Sequence, residues 1–115
     1  MADLLVDTDI FIDHLRGAVE LRHGQHRLHY SVVTRAELYS GNDGTDRANQ
    51  LLRPFREIPV SRAVAERAGR IRREFGLHPG DALIAGTALE HGLALVTGNQ
   101  RDFKAVHGLR LRALR

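Results

Sequence analysis

The stretch Leu4-Leu5-Val6-Asp7-Thr8-Asp9-Ile10-Phe11-Ile12 changes its pattern at Asp7. Ala2 to Val6 is a short apolar run and reads as a buried strand. From Thr8 to Arg16, the side chains of Ile10, Phe11, Ile12 and Leu15 line one broad helical face, and Gly17 closes the helix. A strand that runs straight into a helix is the repeating unit of an α/β fold, and the same switch recurs along the chain.

Working outward, a second short helix is expected from Ala18 to Gly24. Leu28, Tyr30 and Val32 alternate with His29 and Ser31, as in a strand. Thr34 to Ser40 reads as a helix broken by Gly41-Asn42-Asp43-Gly44. A further helix covers Thr45 to Leu52 and is stopped by Pro54. Leu51, Leu52 and Phe55 are its apolar candidates for a partner surface, with core packing as the alternative. Glu57 to Val60 reads as a short strand. Ser61 is a good N-cap for a helix to Phe75, whose apolar positions Val64, Ala68, Ile71 and Phe75 form one packing face. Asp81 to His91 is apolar or small nearly all round, so that helix is buried on most sides, and Gly92 ends it. Leu93 to Val96 is a buried strand, residues 100–106 a short helix or turn, and Leu109 to Leu114 an edge-like strand. Strand and helices in alternation imply a small, mainly parallel Rossmann-like sheet with helices on both faces, folded as a single domain over residues 1–115.

Composition narrows the classes. The chain of 115 residues is 43% hydrophobic and 27% charged, a soluble globular balance rather than a disordered or fibrous one. No apolar run approaches the ~20 residues that span a bilayer, and no signal peptide opens the chain. The absence of cysteine excludes disulfide staples and thiolate metal sites, and suits a reducing cytoplasm. Of the 17 basic residues all but Lys104 are Arg, which reflects either a GC-rich genome or affinity for phosphate. From Phe103 to Arg115 there are four basic residues and no acid, a modest sign of a polyanion partner.

Four polar places sit against this apolar frame. Asp7 stands at the carboxyl end of the first strand, where open α/β sheets bind ligands, although it would also serve as a helix N-cap. Glu37 lies on a helix, where an exposed glutamate is commonplace. Asp81 opens the most buried helix. It is either an N-cap or a carboxylate drawn inward, where a lone negative charge is costly. The segment Thr97-Gly98-Asn99-Gln100-Arg101-Asp102 follows the last buried strand, and Asn99 and Asp102 each offer an oxygen there, unless the segment is only a polar turn. Three or four hard oxygen donors suit Mg²⁺ or Mn²⁺ rather than Zn²⁺. The histidines at 14, 23, 26, 29, 78, 91 and 107 form no metal-binding pattern and read as surface residues.

Leu4-Leu5-Val6-Asp7-Thr8-Asp9, then Thr34-Arg35-Ala36-Glu37-Leu38 with Gly41, then Gly80-Asp81-Ala82-Leu83-Ile84-Ala85, then Leu95-Val96-Thr97-Gly98-Asn99 with Asp102-Phe103, resembles a PIN-domain ribonuclease. In length and spacing the chain is similar to the VapC toxins of type II toxin–antitoxin systems. The resemblance implies a Mg²⁺ site (Mn²⁺ substituting) formed by Asp7, Glu37 and Asp81 as catalytic and metal-binding residues. The family's fourth motif usually adds an acid. Asn99 stands at that position here, and Asp102 lies three residues on, so either fills the fourth place. Converging carboxylates repel one another unless a divalent cation neutralises them. Such a cation would activate water for attack on phosphorus, with no protein nucleophile, leaving a 5′-phosphate and a 3′-hydroxyl. The resemblance further implies an RNA substrate, a cognate antitoxin that plugs the acidic cleft with an Arg or Lys side chain, and a homodimer or toxin–antitoxin hetero-oligomer.

Three other readings compete with this one. Asp7 and Asp9 superficially fit the paired acids of a haloacid-dehalogenase-like phosphatase. However, Ala85 occupies the place of its last acid, and Lys104 falls after the final motif instead of before it. A response-regulator receiver needs a lysine well separated from its threonine, and Thr97 and Lys104 are too close. A catalytically weak PIN-fold module that binds RNA or protein would accommodate the missing fourth acid. Metal-dependent cleavage separates it from the enzyme.

Overall fold

The structure is a computed structural model, and it describes residues 2–17, 26–42 and 44–113. The helix expected over Ala18 to Gly24 lies outside the described residues. In chain order the elements are β1 (Asp3–Val6), α1 (Thr8–Leu15), β2 (Arg27–Ser31), α2 (Val32–Tyr39), α3 (Thr45–Leu52) and β3 (Arg56–Ile58). They continue with α4 (Arg62–Phe75), α5 (Pro79–His91), β4 (Ala94–Val96), α6 (Gln100–Phe103) and β5 (Leu111–Arg112). The strands form one sheet in the order β3-β2-β1-β4-β5, and every neighbouring pair is parallel.

The two-residue period of β1 divides the core between the two faces of the sheet. Leu5 points to one face and packs with Leu95, Ile71, Ala85 and Phe103, contributed by β4, α4, α5 and α6. Leu4 and Val6 point to the other, with Phe11, Leu38 and Leu52 from α1, α2 and α3. Leu52 therefore belongs to the core. Leu51 and Phe55 are only half buried and line a cavity of about 410 Å³ with His14, Leu15, Arg47, Gln50 and Pro54. The expected helix α4 begins as read, with Ser61 Oγ accepting from the Val64 N–H at 3.1 Å.

Several boundaries differ from the sequence reading: α6 stops at Phe103, the edge strand β5 is only Leu111–Arg112, and three other differences have a clear local cause. The helix α2 starts at Val32, not Thr34. The β-branched pair Val32-Val33 suggests a continuing strand, but Ser31 Oγ accepts the Val33 N–H at 3.1 Å and turns the chain into a helix at once. The strand β3 ends at Ile58 because Pro59 has no N–H to continue the ladder. The buried helix α5 starts at Pro79, whose fixed φ is already helical, with His78 in the N-cap position. Asp81 is consequently the third helical residue and not the cap, so that alternative reading is excluded.

The strand order places the site. From β1 the chain moves to β2 on one side, whereas β4 returns on the other, so the order in which strands are added reverses between β1 and β4. The carboxyl ends of two such strands part to leave a crevice. Asp7 and Thr97 are the residues that follow these two strands.

Candidate active site

A cavity of about 200 Å³ opens at this crevice, lined by Asp7, Thr8, Asp9, Ile12, Glu37, Asp81 and Asn99. Four of the residues singled out from the sequence therefore come together, from segments separated by most of the chain. Asp102 does not line this cavity. It borders a neighbouring one of about 270 Å³ with Phe75, Gly76, Leu77, His78 and Asp81, and its Oδ2 accepts the Asn99 Nδ2 donor at 2.8 Å.

Asp7 and Glu37 are held by named donors. Asp7 is 4% exposed. Its Oδ1 accepts the Thr8 N–H at 2.8 Å, capping α1, and its Oδ2 accepts the Thr97 hydroxyl at 2.8 Å across the seam between β1 and β4. Capping and a place in the cleft are thus compatible in one residue. Thr97 Oγ1 also accepts the Asn99 N–H at 2.9 Å, which fixes the loop carrying Asn99. Glu37 is exposed at its surface side, but its Oε1 accepts the Thr8 hydroxyl at 2.7 Å. Thr8 Oγ1 in turn meets Thr34 Oγ1 at 2.8 Å, and Thr34 is fully buried one helical turn before Glu37. Two glycines leave space for the acids: a Cβ on Gly80 would stand 3.1 Å from Glu37 Oε2, and one on Gly98 would stand 3.1 Å from Asp9 Oδ2.

Asp9 is the residue that sequence reading missed as a member of the cleft. An acid in the first turn of a helix is common for dipole reasons alone, so it carried no distinct signal. Its Oδ2 accepts the Gly98 N–H at 3.1 Å, and its Oδ1 is sealed from solvent with no hydrogen-bond partner among the described residues. Thr8 and Thr34 likewise carry no assigned role in the sequence reading, and Thr97 only that of the discarded receiver reading, although all three lie within the quoted motifs.

The electrostatics follow from burial and crowding. Burial, reinforced by the neighbouring Asp9, pushes Asp7 up to about 7, against the Thr97 and Thr8 hydrogen bonds that lower it. Burial also raises Asp9. Asp81 is raised by burial and then by the adjacent Glu37. Each group resists ionising where it stands, which is the condition of acids gathered without a counter-charge. Among the described residues no three His, Cys, Asp or Glu side chains are drawn together closely enough to cage a cation as they stand.

Residues 4–109 match the profile of the PIN domain family. The chain belongs to the PIN-domain family. Within it, the chain is 38% identical to the ribonuclease VapC10 of Mycobacterium tuberculosis, over 87% of this chain and 85% of that protein. Among solved structures, a toxin–antitoxin complex from Klebsiella pneumoniae is 32% identical with a TM-score of 0.73, over 92% of this chain and 94% of that one. A VapBC2 complex from Rickettsia felis bound to a promoter DNA fragment has a TM-score of 0.82 at 21% identity, over 96% and 98% of the two chains, and so speaks to the fold alone. This PIN domain has the five-stranded parallel sheet and flanking helices that its sequence implies. No helix among the described residues is long and apolar enough to cross a membrane.

Proposed function

We propose that this PIN domain is a Mg²⁺-dependent endoribonuclease, the toxin of a type II toxin–antitoxin pair, active with Mn²⁺ as well. The observation that carries the reading is the convergence of Asp7, Glu37 and Asp81 on one cavity at the reversal point of the sheet. Similarity to VapC ribonucleases and to toxin–antitoxin complexes supports RNA as the substrate and an antitoxin protein as the partner.

The donor set fits a hard divalent ion. Every polar side chain of the cavity offers oxygen, no sulfur is present, and one buried carboxylate oxygen lacks a partner. Asp7, Glu37 and Asp81 would hold the ion, with Asn99 in the fourth position. When bound, such an ion acidifies water and offsets the negative charge of the phosphate. The chain's own residues do the positioning. Thr97 and the Thr8 N–H fix both oxygens of Asp7, while Thr8 and Thr34 fix Glu37. The net reaction adds water across a P–O3′ bond. An inhibitory antitoxin would offer the cleft a cationic side chain, since the acids lack a counter-charge of their own.

The test is incubation of the purified protein with RNA and Mg²⁺. Endonucleolytic fragments ending in 5′-phosphate are expected, and none in EDTA. EDTA-insensitive cleavage, or faster hydrolysis of small phosphate esters than of RNA, would refute the reading. The fourth position has its own test. Asn99→Ala should raise the Mg²⁺ concentration needed for half-maximal cleavage more than Asp102→Ala does, because Asn99 lines the cavity with the acids, whereas Asp102 borders the adjacent one beside Asp81 and bonds to Asn99. A larger effect at Asp102 would reverse the assignment.

A further inference from the structure

The fourth motif lacks an acid where the family resemblance calls for one, and the residue present, Asn99, carries no charge. The structure brings another carboxylate to that spot. Asp9 Oδ2 accepts the N–H of Gly98, the residue directly before Asn99, and Asp9 and Asn99 line the same cavity with Asp7, Glu37 and Asp81. The absent side chain of Gly98 is what admits it, since a Cβ there would lie 3.1 Å from Asp9 Oδ2.

A structural tether between α1 and the loop after β4 would explain only half of this side chain. The tether uses Oδ2. The second oxygen, Oδ1, is sealed from solvent and receives no hydrogen bond from the described residues. An unsatisfied buried acceptor is destabilising, more so when it bears charge. A neutral serine or asparagine would make the same bond to Gly98 without placing a second negative group beside Asp7. The site thus keeps a costly charge that its scaffold does not need, which is the pattern of a group retained for a ligand.

We propose that Asp9 supplies the fourth carboxylate of the divalent-cation site, in place of the acid that Asn99 lacks; this rests on the metal-dependent ribonuclease reading above. The negative charge of the site is conserved by moving it from the loop after β4 to the first turn of α1. Asp9 and Asn99 then divide the work: Asp9 provides charge, and Asn99, fixed through its amide by Asp102 and through its N–H by Thr97, provides a neutral donor.

The experiment is calorimetric titration of the metal-free protein with Mn²⁺, so that affinity is read without turnover, with thermal melts in EDTA confirming that each variant is folded. Asp9→Asn keeps the size of the side chain and an acceptor for Gly98. It should weaken Mn²⁺ binding roughly ten- to a hundredfold, the range over which changes at and around a metal site act. The charge-transplant variant Asp9→Asn with Asn99→Asp should return to within about threefold of wild type. Asn99→Asp alone tests the same idea without touching Asp9. If Asp9 is already a ligand, the extra acid tightens binding less than about threefold; a tenfold gain would mean that the fourth acid had been missing, and would overturn the proposal. So would a folded Asp9→Asn that binds Mn²⁺ as wild type does. Should wild type itself take up no Mn²⁺, the underlying metal-site reading falls, whereas tight wild-type binding left unchanged in Asp9→Asn defeats only the role of Asp9.

Discussion

Asp7→Asn should abolish RNA cleavage and yet, in EDTA at pH 8, melt at or above the wild-type temperature. The argument starts from Asp7 being held near 7 in the fold, against 3.8 for a free carboxyl group. The folded state then keeps its proton over a range where the unfolded chain has lost it. Its contribution to stability is complete below ~4 and disappears as pH rises through ~7. Above that range wild type must bury an ionised group beside Asp9. The gap corresponds to at most about 4 kcal/mol, and a quarter of it would shift the melting temperature of a domain of this size by roughly 4 °C. Asparagine removes the charge, can still accept the Thr8 N–H as a cap, and can donate to Thr97 Oγ1. The difference in melting temperature should vanish near pH 4, where wild-type Asp7 is protonated. Mg²⁺ at ~100 times its dissociation constant should stabilise wild type by about 2.7 kcal/mol, and the variant much less. A large loss of stability in metal-free Asp7→Asn at pH 8 would mean that Asp7 is a structural cap, and the site would lose its anchor.

Asp81→Asn should be equally silent in cleavage, with a smaller change in melting. Asp81 is third in α5 and not its cap, so no capping bond is lost. A carboxylate in the first helical turn gains only about 0.3–1 kcal/mol from the helix dipole. Burial and the nearby Glu37 work in the opposite direction. The net change in EDTA should stay within about 1 kcal/mol, a few degrees of melting temperature. Retained cleavage in a folded Asp81→Asn would remove the residue from the site.

The architecture was legible because apolar runs such as Leu4–Val6 and Leu93–Val96 are short, buried on both faces and followed by helices, which leaves a parallel sheet as the solution. The errors fall where a side chain reprograms the backbone. Ser31 turns two strand-forming valines into helix, and Pro79 starts α5 two residues before Asp81. The site was only partly legible for a different reason. A carboxylate that caps a helix, faces water or lines a cleft looks the same in sequence. Asp7 does two of these at once, and Glu37, a commonplace helical acid but for its family motif, is tied to the cleft by the Thr8 hydroxyl bonded to it. Asp9 stands out in the sequence only as the partner of Asp7 in the discarded phosphatase reading, because its distinguishing feature is a buried oxygen with no partner.

The pairing of β4 with β1 also has a consequence for synthesis. Leu4, Leu5 and Val6 lie opposite Ala94, Leu95 and Val96, and Asp7 receives its Thr97 hydroxyl only after that pairing. A nascent chain that has made β1, β2 and β3 still lacks half of the crevice, and β1 presents an open, sticky edge. The cleft that Asp7 shares with Glu37 and Asp81 is therefore complete only once β4 and Thr97 have been made.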